Sequence, residues 1–288
     1  MPVHDDLGIR MKENYENISK TRLVRRMPVA IRIDGKAFHT FTRGFVKPYD
    51  WFLIRAMQQT TKYLCENIQG CVFGYTQSDE ISLILVDYAK LESCAWFDNE
   101  VQKICSIAAS MATMAFNKIW YEQLDIANEI DDKMSMGINT DYDIEAFATM
   151  FGMRDLEDDW INLFDHLPIY HKVAGTAMFD ARCFNIPKEE VTNLIYWRQL
   201  DATRNSIQML GQATFSHKEL QGLSCNMIQN KLFEERGINW NELPIVLKRG
   251  TAVIKLTADG WYICQNMPVL KGEDRSFVDS VVFVGEDS

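Results

Sequence analysis

Asp34, Asp79 and Glu80 are the residues at which chemistry in this sequence would turn. Asp34 ends an alternating run in which Val29, Ile31 and Ile33 point one way and Ala30 and Arg32 the other, and Gly35 follows at once. A carboxylate at the end of a strand, followed by a residue without a side chain, lets a ligand approach the backbone closely. Asp79 and Glu80 sit at the polar tip between two apolar stretches, with Val72, Phe73 and Tyr75 before it and Ile81, Leu83 and Leu85 after it at period two. Adjacent carboxylates repel unless a proton or cation lies between them. Taken alone, the acidic pair is a solvated turn. If Asp34 meets the tip, the three carboxylates suit a pair of Mg2+ ions clamping the attacking and leaving oxygens of a phosphoryl transfer.

That meeting depends on the elements around them. Asp50 is placed to cap a helix whose apolar positions are Leu53, Met57, Leu64 and Ile68, with Gly70 as its stop. The hairpin over residues 71–86 comes next, then a helix predicted over residues 96–120, its small residues Ala108, Ala112 and Ala115 fitting it closely to a sheet. A strand is expected over residues 177–184. Strand, helix, strand, strand, helix, strand is the α+β ferredoxin-like pattern, an antiparallel sheet with helices on one face. In it the end of the first strand can reach the hairpin tip. Lys36, Ala37, Phe38 and His39 form a loop whose amides could wrap phosphates.

Residues 121–175 read as an acid-rich insertion, a solvated segment or an interface, with a short amphipathic helix over residues 155–164. Asp141, Asp143 and Glu145 lack the glycine and terminal glutamate of a calcium loop. A helix is predicted over residues 188–212. Its stretch Trp197-Arg198-Gln199-Leu200-Asp201-Ala202-Thr203-Arg204-Asn205 is polar for a packed helix, so Arg198, Arg204 and Asn205 are either a buried network or an RNA or nucleotide contact. A further helix ends at Gly237, a hairpin turns at Ala258-Asp259-Gly260, and residues 277–284 are expected to seek a partner strand. Residues 1–186 thus form a catalytic domain and residues 187–288 a helical and hairpin region packed on it.

With 288 residues, 47% hydrophobic and 24% charged, the chain has the composition of a globular protein with a sizeable core. A formal charge of −10 excludes a surface that grips nucleic acid everywhere, though not a local basic groove. A basic cluster at Lys20, Arg22, Arg25 and Arg26 is either a solvated helix end or an RNA or triphosphate contact. The seven cysteines show no CxxC spacing and read as reduced and mostly buried. No run approaches a membrane span, and the first residues lack an apolar signal core, so a cytoplasmic protein is expected.

The stretches RIDGKAFHTF (from Arg32), KPYD (from Lys47), GYTQSDEIS (from Gly74), FDAR (from Phe179), YWRQLDATRN (from Tyr196) and INWNELPIVLKRGTAVI (from Ile238) occur in one order. Together they resemble the tRNA-His guanylyltransferases, and more closely the guanylyltransferase-like proteins of bacteria, archaea and viruses. The resemblance implies a polymerase-like palm, a homotetramer, and nucleotide addition in the 3′-to-5′ direction to the 5′ end of a tRNA after ATP or GTP activates its phosphate. It places two Mg2+ ions on Asp34, the carbonyl of Gly35 and Asp79, with Glu80 as the neighbouring acid. It places the triphosphate on the loop from Asp34 to His39, with contacts from Ser78 and Lys103. It gives Lys47, Asp50 and Asn239 polar positions that matter for activity. Thr203 stands where the eukaryotic enzymes carry the histidine of a His-Ile-Asn motif, which favours template-dependent 5′-end repair over strict guanylate addition. Two other readings share the carboxylates: a palm-fold nucleotidyl or diguanylate cyclase, and a non-catalytic RNA-binding palm.

Overall fold

A computed structural model describes residues 6–151, 163–256 and 260–285. The helix expected over residues 155–164 falls almost wholly outside them. The architecture is one six-stranded antiparallel sheet with helices on both faces. Its strands are β1 (Val29–Gly35), β2 (Cys71–Gln77), β3 (Glu80–Leu85), β4 (Phe179–Asn185), β5 (Thr251–Leu256) and β6 (Gly260–Cys264), lying in the order β4-β1-β3-β2-β5-β6. The hairpin of the C-terminal region therefore continues the same sheet, β5 pairing with β2 from Phe73↔Ile254 to Thr76↔Thr251.

Eleven α-helices are found among the described residues. Ahead of β2 come α1 (Asp6–Met11), α2 (Phe38–Phe41) and α3 (Trp51–Asn67). Between β3 and β4 lie α4 (Val101–Ser135), α5 (Asp141–Phe151) and α6 (Leu167–Val173). After β4 follow α7 (Lys188–Thr214), α8 (His217–Leu220), α9 (Cys225–Arg236), α10 (Ile245–Arg249) and α11 (Ser276–Val282).

The period-two pattern of β1 divides the molecule. Val29, Ile31 and Ile33 face the main core with α3 and α4, whereas Ala30 joins a second core with Phe73, Tyr75, Ile84 and the start of α7. Asp50 starts α3 as expected, its Oδ1 accepting from the Leu53 amide at 2.9 Å. Ala108 and Ala112 are fully buried where α4 lies on the sheet, and Thr113 Oγ1 accepts from the Phe179 amide at 3.2 Å.

Three expectations change. The helix predicted over residues 96–120 starts at Val101 and runs to Ser135, because Leu124, Ala127 and Ile130 keep its buried stripe going. Residues 96–99 are a separate 3-10 turn in which Phe97, Asp98 and Asn99 all have positive φ. The segment expected to pair as a strand over residues 277–284 is instead α11, which buries Val278 and Val282 one helical turn apart against the second core. The insertion is only partly solvated, since Tyr170 of α6 is fully buried and stacks on Phe52 with centroids 4.6 Å apart.

No helix among the described residues is long and apolar enough to cross a membrane. All seven cysteines are free thiols, with Cys65 buried and Cys94 exposed.

Candidate active site

Asp34 and the hairpin tip come together because β1 and β3 are neighbours. The register pairs Asp34 with Glu80 on one side and with Asp180 of β4 on the other, so three carboxylate residues stand in one row across the sheet. Directly opposed residues of an antiparallel pair project to the same face. That face lies opposite α3 and α4. Asp79 joins through the backbone, where the Gly35 amide donates to the Asp79 carbonyl at 3.0 Å. Ser78, at φ +50°, makes the tight turn, and its hydroxyl donates to Asp79 Oδ1 at 3.1 Å. Thr76 Oγ1 donates to the Glu80 carbonyl at 3.0 Å and braces the turn from within.

The electrostatics distinguish the carboxylates. Burial pushes the Asp79 carboxyl above its usual range, and the nearby Asp34 adds to that. A buried acid whose ionisation a neighbouring carboxylate makes costlier is a place where a hard cation would bring relief. Glu80 is arranged otherwise. Its Oε2 accepts from Arg198 Nη2 at 2.5 Å, and its Oε1 stands 3.2 Å from Arg32 Nε. Burial pushes its carboxyl up, while Arg198 and then Arg32 pull it back. Glu80 is therefore bracketed by two guanidinium groups, while Asp34 and Asp201 add to the push from burial. Among the described residues no group of three His, Cys, Asp or Glu side chains converges closely enough to hold a metal on its own. A cation on Asp34 and Asp79 would draw its other ligands from main-chain and phosphate oxygens, a mixture that suits Mg2+.

The loop after β1 is held from beneath. Phe38 packs on Phe41, Phe179 and Phe116 with centroids 4.8, 5.2 and 5.8 Å away, and Phe41 and Phe45 continue the cluster onto Trp120. Lys36 and His39 stay exposed above it. The Lys36 amide is committed to the Met178 carbonyl at 2.8 Å, which leaves the first-turn amides of Ala37, Phe38 and His39. Ala37 takes the left-handed conformation, φ +55°. Lys47 is exposed and, with Ser78, borders a cavity of about 160 Å3.

Asp50 is a buried structural acceptor. It takes hydrogen bonds from the Val46 amide at 3.0 Å, the Leu53 amide at 2.9 Å and the Tyr170 hydroxyl at 2.7 Å. Burial raises its carboxyl, and these donors, Tyr170 foremost, oppose the rise. Asp50→Ala leaves three donors without their acceptor. The expected loss is about 2–4 kcal/mol of stability, read from urea unfolding of the full chain.

The polar stretch of α7 is mainly a buried network. Arg198 Nη2 also donates to Asp201 Oδ2 at 2.9 Å, and Arg204 pairs with the other oxygen of Asp201. Gln199 donates to the Pro268 carbonyl at 2.7 Å and accepts from the Leu270 amide at 3.2 Å. Trp197, half exposed, lies over the Arg198 guanidinium at 4.6 Å and within 5.9 Å of that of Arg32. Asn205 lines an adjoining cavity of about 100 Å3 with Tyr49 and Ser78.

Two residues named from the sequence lie apart from the carboxylates. Lys103 is exposed at the start of α4, over the Phe97 ring at 5.9 Å. Cys105, two residues on, meets Cys183, whose strand partner is Ile31, so Lys103 belongs to the far end of β1 and to the helical layer. Asn239 caps the short turn Trp240–Glu242, accepting from the Asn241 amide at 3.1 Å. In the basic cluster, Arg22 and Arg25 both pair with Asp98. Arg32, Asp201 and Tyr170 had not been singled out from the sequence. Arg32 was detectable as the residue two before Asp34 on the same strand face, and Asp201 as the i+3 partner of Arg198.

The family model described as tRNAHis guanylyltransferase matches residues 9–187. A bacterial tRNA(His) guanylyltransferase-like protein solved in complex with ATP is 38% identical, with a TM-score of 0.74 over 96% of this chain and 100% of that one. One solved in complex with GTP is 34% identical, with a TM-score of 0.67 over 97% and 100%. The tRNA(His) guanylyltransferase of Saccharomyces cerevisiae is 25% identical over 79% of this chain and 82% of its own length.

Proposed function

The chain belongs to the tRNAHis guanylyltransferase family, and from that premise we propose that it is a nucleotidyltransferase extending the 5′ end of a tRNA in the 3′-to-5′ direction. The observation that carries this reading is the Asp34–Asp79 pair, tied together by the Gly35 amide. The strand order β4-β1-β3-β2 with α3 and α4 on one face supports a polymerase-palm reading of residues 1–186. Residues 187–288 are read as a region packed on that palm.

Asp34, Asp79 and the carbonyl of Gly35 would hold Mg2+, with two ions in the full site. When bound, Mg2+ neutralises triphosphate charge and polarises the phosphate under attack. The remaining work falls to the chain. Gly35 leaves room for the Phe38 ring beneath the loop, and the amides of Ala37, Phe38 and His39 would donate to the phosphates. Lys36, Lys47 and Ser78 stand around the same loop and bring charge and a hydroxyl. The aromatic cluster under Phe38 keeps the loop from giving way, so the reacting phosphate and the 3′-hydroxyl of the incoming nucleotide meet in a fixed geometry. ATP or GTP first activates the 5′-phosphate of the RNA, and the 3′-hydroxyl of a second nucleoside triphosphate then displaces the activating group. With Thr203 in place of a histidine, we favour 5′-end repair of truncated tRNA in the cytoplasm by a homotetramer.

The test uses 5′-monophosphorylated tRNA lacking its first nucleotide, incubated with Mg2+, ATP and each labelled NTP. Label joined to the 5′ end is expected. A cyclic nucleotide formed from GTP alone, with no label on the RNA, would overturn the reading in favour of a cyclase. Binding of RNA without transfer would favour a non-catalytic palm.

A further inference from the structure

Glu80 sits directly across from Asp34 in the β1–β3 register, so its side chain rises from the same face and within reach of the same cation. Nevertheless it is turned toward α7. Arg198, 5% exposed, holds Glu80 Oε2 at 2.5 Å and Asp201 Oδ2 at 2.9 Å through one nitrogen. Arg32 faces the other oxygen of Glu80 at 3.2 Å, and the ring of Trp197 covers Arg198 at 4.6 Å. Arg198 is itself fixed from α7, whose next residue, Gln199, is bonded at both ends to the 268–270 segment.

We propose that Arg198 is a positioning residue that holds Glu80 out of the cation-binding pair, leaving Asp34 and Asp79 to bind the metal with positions open for phosphate oxygens. This rests on the reading of Asp34 and Asp79 as the cation-holding pair. Its physical content is a competition. A carboxylate near two others takes whichever cation is available, and a planar guanidinium with several donors outbids a divalent ion only while it is rigidly presented. Without it, Glu80 joins the pair. A third carboxylate strengthens cation binding and occupies a position that the substrate phosphate needs.

The experiment titrates the full chain with Mn2+ alone, following free Mn2+ by electron paramagnetic resonance, beside the tRNA-extension assay. For Arg198→Met the expected result is Mn2+ binding tighter by about tenfold, in line with the effect of ligand charge count, together with a fall in kcat. Adding Glu80→Gln to that variant returns Mn2+ affinity to the wild-type level. Arg198→Lys, whose shorter and more flexible side chain presents its charge less rigidly to the two acids, moves the affinity the same way by less, and it serves if the methionine variant does not fold. Unchanged or weaker Mn2+ binding in both Arg198 variants, with the wild type binding normally, overturns the positioning role and leaves the carboxylate pair standing. A wild-type chain that binds no Mn2+ overturns the pair and this inference with it. A loss of thermal stability without a shift in Mn2+ affinity marks Arg198 as merely structural and also overturns it.

Discussion

Asp34→Ala and Asp79→Ala are each expected to lower nucleotide transfer by about 10³-fold or more while the chain stays folded. The magnitude follows from removing one of the two carboxylates proposed to hold a cation, which would supply several kcal/mol of charge stabilisation at the reacting phosphate, with about 1.4 kcal/mol for each factor of ten. Retention of the fold follows from the packing. Neither side chain belongs to a hydrophobic core, and what joins β1 to the hairpin is main chain, the β1–β3 ladder together with the bond from the Gly35 amide to the Asp79 carbonyl, which survives both substitutions. Asp79→Asn makes a sharper version of the test. Burial and Asp34 already push the Asp79 carboxyl up, so removing its charge relieves a cost and the variant should unfold no earlier than the wild type. Single-turnover extension of a truncated tRNA, run beside thermal unfolding, checks both halves. Wild-type turnover in either alanine variant would remove the carboxylate pair from the chemistry.

Gly35→Ala is expected to be nearly as damaging for a wholly steric reason. A Cβ at residue 35 would stand 2.3 Å from Phe38 Cδ2, 2.6 Å from Cε2 and 2.7 Å from Cγ. The ring cannot withdraw, because Phe41, Phe116 and Phe179 surround it. Overpacking of this kind costs about 1–3 kcal/mol. The loop that carries Lys36 to His39 is displaced with the ring, and a misplacement of about 1 Å is enough to lower the rate about 10²-fold. The check is a double-mutant cycle. With Phe38→Ala already present, Gly35→Ala should add little further loss of stability, whereas full additivity would show that the glycine matters for some reason other than the ring.

The parts that could be read from the sequence are those with local signatures. β1 showed through the alternation of Val29, Ile31 and Ile33, α3 through its cap at Asp50, and the hairpin through period two on either side of Ser78. α4 was cut short because acidic residues after Trp120 obscured Leu124, Ala127 and Ile130, which continue the buried stripe. Residues 277–284 looked like a strand because phenylalanine and valine favour one; helical spacing of Val278 and Val282 against an available apolar surface overrode that preference. The carboxylates themselves were legible, but their division of labour was not. Glu80 meets Arg198 across 118 positions of sequence, and no spacing rule operates over that distance. Tyr170 was missed for a similar reason, since it reaches Asp50 from an acid-rich segment that reads as solvated.

The pairing of β5 with β2 bears on where this protein can be divided. The family match ends at residue 187, yet the ladder from Phe73 to Thr76 is completed only by residues beyond 250. A fragment ending at the match would present β2 as a bare, largely apolar edge, a template for self-association, and would strand Glu80 without its deeper guanidinium. The boundary suggested by family similarity is therefore not a seam in the molecule, and residues before it depend on those after it both for closing the β2 edge and for placing the charge of Glu80.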